Sequence, residues 1–158
     1  MNTEHVIDAL NQTIALELTA SLQYHQHALL VRGPWRKLFA EFFHAESHGA
    51  LDHAHKFGQK VAALGGVPTI EVGAPVRQSL DLTEMLHQDL ELERQAMQAY
   101  LEAHALAEGD VALRSMLETH IDDEQRDIEE LEMYLEMVQT SAVMPEVALE
   151  LVTLAATK

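Results

Sequence analysis

The chain contains no cysteine, which excludes disulfides, thiolate zinc sites, rubredoxin-type iron and cysteine nucleophiles. Any transition metal it holds must rest on Asp, Glu and His. Aromatic residues are scarce at 5%. Ala, Leu, Glu and Gln dominate instead, residues that lose little rotamer freedom in a helix, so an all-α chain is expected. Positive charge is scarce as well: 10 Lys and Arg stand against 26 Asp and Glu, a formal net charge of −16. Nucleic-acid affinity comes largely from basic side chains displacing counterions, so no nucleic-acid partner is expected. No apolar run reaches bilayer length, and Glu4, His5 and Asp8 interrupt the first ten residues, unlike a signal peptide. A soluble, cytoplasmic protein with no membrane partner is the expectation.

At 158 residues and 47% hydrophobic, the chain suits a single domain with a continuous core. Apolar residues recur at helical spacing in four long stretches, predicted over residues 2–30, 34–64, 81–108 and 110–139. Arg32-Gly33-Pro34 separates the first two, and Gly65-Gly66 with Pro68 ends the second. Residues 65–80 hold three Gly and two Pro, too long for a hairpin and long enough to cross a bundle lengthwise. Asp81 with Glu84 caps the third stretch and Asp110 the fourth. Pro145 is predicted to open a short fifth helix over 145–156, an apolar segment expected to cover an oligomer contact. The order is two helical hairpins, one crossover and a terminal helix.

The inward stripes of the four helices carry residues that do not belong in an apolar core. Glu17 falls among Leu10, Ile14, Ser21, Tyr24 and Ala28; Glu46 and His53 fall among Phe39, Phe43, Ala50 and Phe57. Asp89 and Glu93 fall among Leu82, Leu86, Ala96 and Tyr100; His120, Glu124 and Asp127 fall among Leu113, Leu117, Leu131 and Tyr134. Burying one unpaired carboxylate costs several kcal/mol, and these stripes contain no Lys or Arg. One or two divalent cations would supply the missing charge.

Height along the helices is the second test. Glu17 precedes Gly33 by 16 positions, while Ala50 and His53 follow it by 17 and 20; Glu93 precedes Gly109 by 16, while Glu124 and Asp127 follow it by 15 and 18. At ~1.5 Å rise per residue these groups share one layer roughly 24 Å from the turns. Of the other polar candidates, Glu46 and Asp89 sit one turn from that layer and are expected at interfaces or bonded locally. His120 reads equally as filler or as support for the layer. His44, His48 and His55 lie on other faces of the second helix, and Tyr100 and Tyr134 read as core.

Across nearly its whole length the chain resembles bacterioferritin. The likeness runs through Glu17-Leu18-Thr19-Ala20, Gln23-Tyr24, Leu64-Gly65-Gly66-Val67-Pro68, Glu84-Met85-Leu86 and Asp89-Leu90-Glu91-Leu92-Glu93. It implies a ferritin-like four-helix bundle whose di-iron site takes one Glu from each of two helices and a Glu-x-x-His from each of the others. On that resemblance the lone Glu residues are Glu17 and Glu93, and the paired positions are Ala50 with His53 and Glu124 with Asp127. A bridging Glu is thus replaced by Ala50, and a His by Asp127. Leu51 stands where the family's haem-holding methionine falls, so haem by that route is not expected.

The resemblance further implies Fe(II) oxidation with O₂ or peroxide as oxidant and Fe(III) storage or detoxification in a symmetric homo-oligomer. One metal would take Glu17, His53 and Glu124, and a second Glu93, Glu124 and Asp127, with Tyr24 supporting a carboxylate and Glu46 able to reach in for the lost Glu. Iron is the expected metal, with Zn or Mn as alternatives. Two other readings remain open: a di-metal oxidase or peroxidase acting on another substrate, and a bundle with an altered site serving a structural or single-metal role.

Overall fold

The computed structural model describes the backbone of residues 2–156 and the side chains of residues 2–141. It contains α1 (Thr3–Leu30), α2 (Arg36–Ala63), α3 (Leu82–Leu106) and α4 (Val111–Ala156), in that order. The caps explain most of the boundaries. Asn2 accepts from Glu4 N at 3.1 Å, Asp81 from Glu84 N at 2.8 Å, and Asp110 from Leu113 N at 2.9 Å. Asp110 also accepts from Lys60 Nζ at 2.9 Å, which ties the start of α4 to the last turn of α2. The α2 helix begins two residues after Pro34, behind a turn in which Trp35 offers no side-chain cap. It ends on Gly65, whose φ of 86° is open to glycine at little cost.

The C-terminal part differs from the expectation. A separate helix over 145–156 does not form; α4 is one helix of 46 residues through to Ala156. Ser141-Ala142-Val143-Met144 contains no glycine and no capping pair, so the helix runs on through Pro145 despite the lost backbone donor and the ring's crowding of the preceding turn. The oligomer contact expected of residues 145–156 concerns side chains outside the described residues.

The crossover lies along α1 and runs in the same direction. Asn11 exchanges hydrogen bonds with Val67 O and Thr69 N at 3.1 and 2.9 Å; Gly73 N reaches Ala15 O at 2.9 Å and Thr19 Oγ1 at 3.0 Å; Arg77 N reaches Gln23 Oε1 at 3.0 Å. At Gly73 the approach is so close that a Cβ would stand 3.0 Å from Leu16 N and 3.1 Å from Ala15 C. This strand of loop carries the chain back to the end of the bundle where α3 can start antiparallel to α1.

Close backbone approaches join α1 to α2, α3 to α4 and α1 to α3, and among the described residues no Cα of α2 comes within 8 Å of one in α4. Rings fill that wider seam. Phe39 and Phe42 meet Tyr134 at centroid distances of 5.1 and 5.0 Å, and Phe57 meets His120 at 4.8 Å. All four Phe and all three Tyr of the chain fall in two groups of touching rings, one of Tyr24, Phe39, Phe42, Phe43 and Tyr134, the other of Phe57 and Tyr100 with His120. Edge-to-face contacts of Phe39, Phe42 and Phe57 on α2 with Tyr134 and His120 on α4 thus bridge the helices whose backbones stand farther apart. No helix among the described residues is long and apolar enough to cross a membrane.

Candidate metal centre

The seam leaves a cavity of about 210 Å³ at mid-height, lined by side chains from all four helices. Glu17 and Tyr24 come from α1, Glu46, Ala50 and His53 from α2, Glu93 from α3, and Glu124 and Asp127 from α4. All six metal candidates read from the sequence therefore line one space. Ala45, Gly49 and Ala50 form its α2 wall, where small side chains keep it open. Arg126 stands at its mouth and is turned toward acids of its own helix, 3.4 Å from Asp122 Oδ2 and paired with Asp123.

The lining carboxylates are deeply placed. Glu17, Glu93 and Glu124 are buried, while Glu46, His53 and Asp127 are half-buried toward the opening. Burial, opposed by hydrogen bonds from neighbours, pushes the Glu93 carboxyl up to about 7. Burial and the facing charge of Glu93 hold Glu124 well above the usual carboxylate range. Glu46 is pushed up to about 8 by burial together with the charges of Asp127, Glu93 and Glu130, and Asp127 to about 6 by burial against the opposing pull of His53. His53 is drawn down by its own burial, but the hydrogen bond and charge of Glu17, 3.5 Å away, outweigh this and raise it. The metal-free cluster thus holds protons where cations could sit.

Two tyrosines orient the carboxylates. Tyr24, expected to support a carboxylate, donates its hydroxyl to Glu93 Oε1. Tyr100, read as simple core, donates to Glu17 Oε1. Each tyrosine fixes an acid of the other helix of the α1–α3 pair, so the two lone Glu residues are held by a reciprocal exchange across that tight interface. The signal for Tyr100 was present in its place on the inward stripe of α3, about two helical turns beyond Glu93.

Asp89 does not join the cavity. It is fully buried one turn away, where Asp89 Oδ2 meets His27 Nδ1 at 2.8 Å and Asp89 Oδ1 accepts from Gln23 Nε2 at 2.9 Å. Of the two expectations for Asp89, an interface position or local bonding, its partners Gln23 and His27 place it at the α1–α3 interface. Burial raises its carboxyl while His27 and Gln23 oppose the rise. His27 was missed because it lies outside the four-and-three stripe drawn through α1.

Among the described residues no three His, Asp or Glu side chains already converge as a metal-binding group. The donor set nonetheless fits divalent cations chemically. It is made of carboxylates and imidazole without an inward Lys or Arg, and Glu124 Oε1 is buried with no hydrogen-bond partner. A residue holding such an orphaned oxygen inside an acidic cavity is short of a positive partner.

A family model for the ferritin-like domain matches residues 7–141. The bacterioferritin of Streptomyces coelicolor is 31% identical over 137 residues, covering 85% of this chain and 81% of that protein. A nutrient stress-induced DNA-binding protein of Nostoc is 35% identical over 66 residues, covering 42% of this chain and 36% of its own length. Among solved structures, a ferritin-like diiron-carboxylate protein of Bacillus anthracis superposes with a TM-score of 0.80 at 30% identity, covering 84% of this chain and 96% of that one. Helix order, lengthwise crossover, mid-bundle acids and these matches agree: the chain belongs to the ferritin-like family of diiron-carboxylate proteins.

Proposed function

We propose that the chain binds Fe(II) in the mid-bundle cavity, oxidises it with O₂ or peroxide, and stores or detoxifies the Fe(III) within a symmetric assembly of like chains. The observation that carries this reading is the orphaned Glu124 oxygen in a cavity lined by acids from every helix. Iron is the substrate. Two Fe(II) ions give up one electron each, and with two protons these convert O₂ to hydrogen peroxide.

The residues divide the work by position. Glu17 and His53 serve one iron, Glu93 and Asp127 the other, and Glu124 lies between them; Tyr24 and Tyr100 keep Glu93 and Glu17 turned inward. Glu46 lines the cavity one turn from Ala50, which supports it as the carboxylate that takes over from the lost Glu. The S. coelicolor protein's name supports the storage part of the reading. DNA binding is not carried over from the Nostoc protein, whose match is partial and whose activity would meet a net charge of −16 here.

The test is Fe(II) added to metal-free protein in air, followed by near-ultraviolet absorbance beside Glu124→Ala and a protein-free control. Oxidation faster than both, with iron eluting with the protein, is expected. Equal rates overturn ferroxidase activity. That outcome would favour a single-metal or structural role, which the lack of a ready-formed three-donor group also supports.

A further inference from the structure

His120 lies outside the cavity lining, behind His53, and is 5% exposed. Its Nδ1 is 2.8 Å from Met116 O, a carbonyl that can only accept, so Nδ1 carries the proton and Nε2 presents a lone pair. That Nε2 is buried and has no hydrogen-bond partner among the described residues. An imidazole held by one N–H to a backbone carbonyl, with the opposite nitrogen free, has the arrangement typical of metal-bound histidine. A histidine serving only as packing would leave a buried acceptor unsatisfied, which disfavours the fold.

Its neighbours supply the rest of a donor set. The His53 ring lies 4.8 Å away, centroid to centroid, and His53 Nδ1 is 3.5 Å from Glu17 Oε1. Tyr100 stacks beside His120 at 6.0 Å and donates its hydroxyl to the same Glu17 carboxylate. Phe57 closes the other side at 4.8 Å. We propose that His120 is a metal ligand, which together with His53 and Glu17 holds one divalent cation of the Zn(II) or Fe(II) class in a two-imidazole, one-carboxylate site beside the cavity. Two nitrogens and one carboxylate oxygen suit such cations and leave a further coordination position free. Among the described residues the three donors do not yet converge on one point, so their side chains must turn when the cation binds.

This deepens the metal-binding part of the proposed function and does not depend on the oxidation part. It also gives the site a second imidazole in place of the one absent at Asp127, supplied from two turns earlier on α4.

The experiment counts nitrogens. Cu(II) is added as the probe to metal-free protein, and electron paramagnetic resonance reads the nitrogen hyperfine pattern, with Zn(II) affinity measured in parallel by competition with a chelating dye. All samples carry His44→Gln, because the exposed His44 and His48 rings lie 4.5 Å apart and could chelate copper themselves. His120→Phe preserves a ring between Phe57 and Tyr100, and His120→Gln serves if the phenylalanine does not fold. Two coupled nitrogens are expected in the parent and one in either His120 variant, with Zn(II) affinity lower by tenfold or more. The same nitrogen count and affinity in the variants would overturn the inference, as would a parent that binds neither metal. Iron oxidation that is lost while the two-nitrogen signal remains would refute the ferroxidase reading alone.

Discussion

His27 Nδ1 and Asp89 Oδ2 lie 2.8 Å apart in a place where neither side chain has any exposure to solvent. Removing one partner from such a pair leaves the other polar group buried alone, which costs about 3–5 kcal/mol. We expect Asp89→Ala to destabilise the metal-free protein by about that amount in urea denaturation. The double variant His27→Ala/Asp89→Ala should lose clearly less than the two single losses together. Strict additivity in that cycle would show that the pair is not coupled.

Stability of the metal-free protein should fall as pH rises. Glu46 at about 8, Glu93 at about 7 and Asp127 at about 6 all lie above their unfolded values, so between pH 5 and 8 the native state binds more protons than the unfolded chain. Stability is then fully present below the unfolded pKa values and is lost as pH climbs through the native ones. Allowing for partial exposure of Glu46 and Asp127, the loss is about 4 kcal/mol, or about 8–16 °C in Tm. Saturating Zn(II) should flatten the profile, since the cation replaces the protons. A Tm that rises over this interval without metal would contradict the cluster's geometry.

Ala50→Glu returns a carboxylate to a cavity wall that has room for it, about 210 Å³ of open space. The metal-free variant should be less stable than the parent by about 1–3 kcal/mol, because another buried acid joins the cluster. Its gain in Tm on adding Zn(II) should be larger than the parent's, and more Fe(II) should bind per chain. An unchanged metal response would mean that Ala50 does not face the bound ions.

Two glycines should respond oppositely to the same substitution. Gly73→Ala places a Cβ against backbone atoms of Leu16 and Ala15 at 3.0 and 3.1 Å, so the crossover must lift from α1, at a cost of about 1–3 kcal/mol. Gly49→Ala meets nothing within 4 Å and sits inside α2, so it should stabilise by about 0.5–1 kcal/mol. Thermal melts of the two variants decide the matter. Equal effects would remove the crossover's close approach from the account of the fold.

The helices and the height of the acidic layer could be read from the chain because both follow from local rules. Asp81 and Asp110 announce their helices by side-chain caps, and counting from Gly33 and Gly109 brings Glu17, His53, Glu93 and Glu124 to one level. Asp89, Tyr100 and His27 could not be assigned in the same way, since their partners lie 62 to 83 positions away and depend on how α1 packs on α3. The continuation of α4 past Pro145 was missed for a different reason: proline is a strong sign of a helix start and a costly residue inside one, yet no glycine or cap precedes it and the helix carries on through it.

The spacing of the helices also bears on where such a site is free to drift. The α1–α3 pair packs backbone against backbone, and Glu17 and Glu93 are each pinned there by a tyrosine from the opposite helix. The α2–α4 pair has no such close backbone approach among the described residues and meets through side chains, rings at mid-height and the Lys60–Asp110 pair at one end. Ala50 and Asp127, the ligand positions at which the resemblance to bacterioferritin implies a Glu and a His, lie on those two helices. The bundle thus pairs a half whose acids are clamped by hydroxyls with a half whose cavity-facing groups have latitude to change.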